Sequence, residues 1–203
     1  MARVTKHLKG RGRPSSAAAN GMRIATLERK TRETDITVTL AVDGSGTYDV
    51  AIPQDRFLRH MVETLARYAG WDLAVTATGD LDHHLVEDVA ITIGRAFRQA
   101  IGTDSPIARF GSATVPFDEA LIAAHVDLVD RAYVVLEVPD ELYEHFLRSL
   151  AFEGKFTLHT QTIRGTNKHH IVEGSIKATG MALRVATARQ PQLLSTKGAE
   201  RAR

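Results

Sequence analysis

The stretch "DHHLVEDV" at residues 82–89 returns as "KHHIVEGS" at residues 168–175. His83, His84 and Glu87 recur as His169, His170 and Glu173, each 86 positions later, and Val86 recurs as Val172. With nine histidines in 203 residues, one adjacent pair is unremarkable, but two pairs with glutamate and valine both matched point to an internal repeat.

The surroundings of the two copies carry the same order of elements. Before the first copy, "ITVTLAV" (36–42) and "DGSGTYDV" (43–50) read as strand, turn and strand. "PQDRFLRHMVETLARYAG" (53–70) places Phe57, Leu58, Met61, Leu65 and Tyr68 at helical spacing, with Gly70 as a stop. "WDLAVTATGD" (71–80) reads as a strand, and residues 81–102 as a long helix that Asp82 caps. The second half repeats this: strands within 110–138, a helix closed by Gly154, the alternating strand "KFTLHTQTIRGTN" (155–167), and a helix from Lys168. Gly70 precedes His83 by 13 residues and Gly154 precedes His169 by 15, which predicts a two-residue loop extension in the second half. The expected fold is α+β, a tandem duplication of two similar half-domains, each a small sheet with two helices on one face. The expected boundaries are a basic disordered tail at 1–22, half-domains at 23–105 and 106–188, and a C-terminal loop at 189–203.

Composition narrows the function. There is no cysteine, which excludes disulfides and thiolate metal ligands. No run is long and apolar enough to cross a bilayer, and the first residues lack the apolar stretch of a signal peptide, so a cytoplasmic protein is expected. Arg3, Lys6, Lys9, Arg11 and Arg13 stand in a segment without acids. Such a tail can touch nucleic acid, although a solvated extension is the preferred reading.

On a helix, residues three and four apart share a face, so each glutamate neighbours both histidines of its motif. Adjacent histidines point about 100° apart and serve two ions or face two chains. Imidazole and carboxylate suit Mn, Fe, Zn or Ni. A polar helix face with an ion-paired glutamate accounts for one copy; two copies in matched context favour metal binding. Of the other histidines, His159 lies on the polar face of the strand leading into the second motif and is the best-placed extra ligand. His60 by itself reads as a core or surface histidine, and His7, His125 and His145 are set aside.

Together with "RKTRETDITVTLAVDGSG", "FLRHM", "ARFGSATVPFDEAL" and "LLSTKG", these motifs resemble the imidazoleglycerol-phosphate dehydratase family over residues 23–198. The resemblance implies a ribosomal protein S5 domain 2-like fold in each half and a homo-oligomer of 24 subunits. It implies two Mn²⁺ per subunit, in sites between subunits. It implies the metal ligands His60, His83, His84, Glu87, His159, His169, His170 and Glu173. Arg109, Arg131, Lys177, Ser195 and Lys197 would hold the substrate phosphate. The implied reaction is dehydration of imidazole glycerol phosphate to imidazole acetol phosphate, with the ions stabilising the imidazolate ring. Glu173, Glu87 and Glu33 are the candidates to move protons, and Asp118 matches a further functional position. Arg59, Thr64 and Tyr68 stand where the family usually has Asp, Gln and His. The alternatives are a diverged di-metal homologue acting on another small phosphate, and a shell whose metals are structural.

Overall fold

The computed structural model describes residues 21–102 and 106–192. The basic tail, Ser195 and Lys197 lie outside the described residues.

The first half runs β1 (Ile24–Lys30), β2 (Thr34–Ala41), β3 (Tyr48–Ala51), α1 (Arg56–Ala69), β4 (Asp72–Gly79) and α2 (Asp82–Ile101). The second runs β5 (Phe110–Phe117), β6 (Ala120–Asp127), β7 (Tyr133–Leu136), α3 (Glu141–Gly154), β8 (Thr157–Arg164) and α4 (Lys168–Ala186). Each half is one four-stranded sheet, ordered β1-β2-β4-β3 and β5-β6-β8-β7. The hairpin strands pair antiparallel, while β3 with β4 and β7 with β8 are parallel across a connecting helix.

Strand alternation decides which face is buried. Ile36, Val38 and Leu40 of β2, and Leu73, Val75 and Ala77 of β4, point to the core, while the residues between them point outward. Helix α2 covers β1 and β2, and α4 covers β5 and β6. The helices then cross between halves, α1 packing on α4 and α3 on α2, so both halves share one hydrophobic core with the helices inside and the sheets outside. Close approach is possible because small residues stand at the contacts. A Cβ on Gly111 would lie 1.9 Å from the Ala182 carbonyl oxygen, so β5 and α4 meet backbone to backbone.

The duplication is closer than the sequence suggests. Asp55 caps α1 by accepting from the Phe57 and Leu58 N–H groups, and Asp140 caps α3 by accepting from those of Leu142 and Tyr143. Gly154 is the last residue of α3; the left-handed cap equivalent to Gly70 (φ 71°) is Lys155 (φ 56°). The loop before the second motif is therefore longer by one residue, not two. Asp82 does not cap α2 either. Leu81 holds that position without a side-chain bond, and Asp82 sits in the first turn, where its charge favours the helix dipole. Asn167 does cap α4, accepting from His169 N–H at 2.9 Å.

Candidate active site at the repeated helix starts

Both motifs open a helix that directly follows the last strand of its sheet, which puts their side chains at one end of the molecule's layers. In the second motif, Glu173 Oε2 lies 3.1 Å from His169 Nε2 and 3.3 Å from His60 Nε2. Its other oxygen takes the Lys177 ammonium at 2.8 Å. Lys177 is itself buried, its Nζ 3.5 Å from the centre of the Phe117 ring. Burial pushes the Glu173 carboxyl up, but the hydrogen bond and charge of Lys177, with His60 beside it, hold it below its ordinary value.

The first motif repeats one of these contacts. Glu87 Oε1 lies 3.3 Å from His145 Nε2, as Glu173 lies 3.3 Å from His60. His60 and His145 stand 85 positions apart, the spacing that relates α1 to α3. Each glutamate is thus met by a histidine from the opposite half, a direct result of the crossed helix packing. His145 is a residue that motif reading missed.

The second histidine of each pair turns outward. His84 Nδ1 bonds Asp80 at 2.8 Å, and Glu33 stands 3.9 Å away. The bond to Asp80 is the main cause raising the His84 pKa, and the Glu33 charge adds to it. His170 Nδ1 bonds Glu119 at 2.6 Å, and its Nε2 faces Asp118 at 3.5 Å. Glu119 is pulled down to about 2, first by that imidazole and then by the Asn167 N–H. The 100° divergence expected of neighbouring histidines is what separates these two environments.

Do the donors fit a metal ion? Donors about 2.1 Å from one ion stand roughly 3 Å apart at right angles, close to the spacing of His60 and His169 from Glu173. The donor set of imidazole and carboxylate suits Mn²⁺ or its neighbours. Yet among the described residues no group of three or more His, Asp or Glu side chains is arranged to hold an ion by itself. The chain offers partial sites, with His84 and His170 presented outward from them.

Within its own chain, His159 does not join them. It lies on the exposed face of β8, in register with His125 and 6.1 Å ring to ring from Tyr133, while the helices cover the other face. The spacing argument that favoured it read its face correctly; that face is turned away from the motif of its own chain and outward, toward what a neighbouring chain could reach.

The arginines are elsewhere too. Arg109 N–H donates to the Ala186 carbonyl at the C-terminal end of α4, whereas His169 stands at its start. A helix of this length separates them by roughly 27 Å. Arg109 adopts φ 69° and grips Asp127 through Nε and Nη2 at 2.7 and 3.0 Å. Arg131 borders the start of β8, where its carbonyl accepts from Thr157 Oγ1. Among the described residues expected to bind phosphate, Lys177 is the exception, lying with Glu173 and not with the arginines. Of the unusual positions, Arg59 lies 3.5 Å from Glu63, Thr64 is buried in α1, and Tyr68 faces Lys177 across 5.6 Å.

Fold and site define a duplicated α+β chain with a histidine–carboxylate cluster at each repeated helix start and Arg109 at the opposite end of α4. Residues 54–183 match the family model for imidazoleglycerol-phosphate dehydratase. The chain is 44% identical over 194 residues to the imidazoleglycerol-phosphate dehydratase of Desulforudis audaxviator, covering 87% of this chain and 97% of the relative. It is 44% identical to that of Granulibacter bethesdensis, covering 87% and 98%. Among solved structures it resembles the dehydratase of Pyrococcus furiosus, with a TM-score of 0.74, 38% identity, and 85% and 99% of the two chains covered. The enzyme of Staphylococcus aureus gives a TM-score of 0.73 at 29% identity, covering 82% and 99%. The chain belongs to the imidazoleglycerol-phosphate dehydratase family. It is accordingly an enzyme, a hydro-lyase of histidine biosynthesis. No helix among the described residues is long and apolar enough to cross a membrane.

Proposed function

We propose that the chain dehydrates imidazole glycerol phosphate to imidazole acetol phosphate, in the cytoplasm, at sites completed between subunits and loaded with two Mn²⁺ per chain. The observation that carries the shared site is the separation of its parts. The histidine–carboxylate clusters lie at the starts of α2 and α4, and Arg109 lies at the far end of α4, about 27 Å away. A substrate spanning a few ångströms cannot reach both within one chain. Packing one chain's arginine end against another's histidine end brings imidazole and phosphate sites together. A closed 24-subunit shell provides such contacts throughout.

His60, His169 and Glu173 would supply part of one site and His83, His145 and Glu87 part of the other, and His84, His170 and the outward-facing His159 would reach across to complete sites on neighbouring chains. Bound ions supply Lewis-acid stabilisation of charge on the substrate's imidazole ring. The chain's own groups do the rest. Arg109 and Arg131, with Ser195 and Lys197, fix the phosphate through charge-assisted bonds. Glu33, exposed at the β1–β2 turn and bound at close range to no cation among the described residues, is the carboxylate best placed to take and return protons. Asp118, exposed at the β5–β6 turn, is the second candidate for that work. Glu173 and Glu87 are better committed to binding, since each is already engaged by histidine. Lys177 keeps Glu173 ionised so that it can serve.

Elemental analysis of protein purified with Mn²⁺, paired with an assay of ketone formation from imidazole glycerol phosphate, tests this reading. Two ions per chain with turnover in the absence of any organic cofactor is the expected result. One ion or none, or full activity in chelator, would sink it.

A further inference from the structure

The β5–β6 hairpin turns in two residues, Asp118 and Glu119, between the paired Phe117 and Ala120. Asp118 takes the left-handed region (φ 49°) to make that turn, which delivers the Glu119 side chain to the start of α4. Its two oxygens have different tasks. Oε1 accepts from the backbone N–H groups of Asn167 (2.8 Å) and Thr166 (3.2 Å), and Asn167 in turn caps His169. Oε2 meets His170 Nδ1 at 2.6 Å, and the edge of the Phe117 ring supports the imidazole from 5.0 Å.

We propose that Glu119 is a positioning residue that fixes His170 as the Nδ1–H tautomer, so that Nε2 is the nitrogen presented to an ion. An ionised carboxylate can only accept, so the nitrogen facing it must carry the proton. The lone pair then lies on Nε2, at the open edge of the ring where Asp118 Oδ2 stands 3.5 Å away. A carboxylate behind a ligating imidazole both orients the ring and strengthens its donor nitrogen. The inference rests on the metal reading of the preceding section and adds to it a residue that neither motif contains.

The duplication shows that this task is particular to Glu119. Its counterpart 86 positions earlier is Glu33, at the equivalent hairpin turn. Glu33 stands 3.9 Å from His84 Nδ1, while Asp80 makes the 2.8 Å contact instead. In the second half that preceding loop offers no acid: its residues are Gly165, Thr166 and Asn167. One duplicated glutamate has been committed to holding a histidine, and the other has been released for chemistry.

Glu119→Gln separates this role from simple structural support. The amide oxygen must still face the two backbone N–H donors, which turns the amide NH₂ toward His170. That NH₂ can only donate, so the proton moves to Nε2 and blocks it. In metal-free protein, ¹⁵N spectra taken about two pH units above the ordinary imidazole pKa should show His170 as Nδ1–H in the wild type and as Nε2–H in Glu119→Gln. Mn²⁺ titration should show one of the two sites weakened roughly 10- to 100-fold, with an unchanged melting temperature. Glu33→Gln should change neither reading. An unaltered tautomer, or an unaltered affinity in a variant whose wild type binds Mn²⁺ normally, overturns the proposal. Wild-type protein that binds no ion overturns the metal reading itself.

Discussion

Lys177→Met removes the cation from Glu173 while keeping most of the aliphatic stem. Both partners are about one-tenth exposed, 11% and 8%, and sit 2.8 Å apart. Removing one member of a fully buried pair costs roughly 3–5 kcal/mol, because the remaining charge has no partner. Glu173 retains His60 and His169 at its second oxygen, so the expected cost falls to about 2–3 kcal/mol. For a chain of this size that is roughly 5–10 °C in melting temperature. The sign with pH follows from the direction of the shift. Glu173 is held below its ordinary value in the wild type, so its charge adds stability above the unfolded carboxylate pKa, and this is lost as pH falls through the folded value. In the variant, burial dominates and the folded value rises. The gap between the two proteins is therefore widest near neutrality and closes below about pH 4. Melts of metal-free protein are the proper assay, since a bound ion would replace the missing ammonium. Adding Glu173→Gln to Lys177→Met should recover most of the loss. A gap below about 0.5 kcal/mol, or one that does not change with pH, would refute the reasoning.

His145→Ala should lower the bound metal toward one ion per chain; elemental analysis of the purified variant reads this, and an unchanged two ions per chain contradicts it. If His84 and His170 join chains through ions as proposed, chelation should break the assembly into small oligomers. Light scattering before and after chelation reads this, and an unchanged mass contradicts it.

The duplication was legible because periodicity and punctuation both repeat: the HHxVE pairs, the alternating strands before them, and the helices that lead in. What failed were readings in which one residue type stood for a backbone state. Gly154 looked like the mate of Gly70, yet Lys155 adopts the left-handed cap. The site was legible where it is local. His83, His84, Glu87 and their copies follow from helix geometry, but their partners depend on how the halves pack. His145 carries a signal only beside His60. Both stand five residues after the aspartate that caps their helix, Asp55 and Asp140. His159 was read correctly as lying on the polar face of its strand, but nothing in an alternating strand says which face the helices will cover. Similarly, no motif shows that Arg109 and His169 occupy opposite ends of one helix. That separation appears only once α4 is laid along β5.

The claim that the site is shared between chains can be measured by mixing two inactive variants. Arg109→Ala spoils the phosphate end and leaves the histidine end intact; Glu33→Gln, beside His84, spoils the histidine end and leaves Arg109 and the metal ligands in place. Each alone should assemble with little or no dehydratase activity. Dissociated together by chelation and reassembled with Mn²⁺ in equal amounts, they should place two intact ends together in about a quarter of the sites. Activity approaching that fraction of wild type is the predicted result. A co-assembled mixture no more active than either variant alone would contradict it, and would place histidine and arginine functions within a single chain.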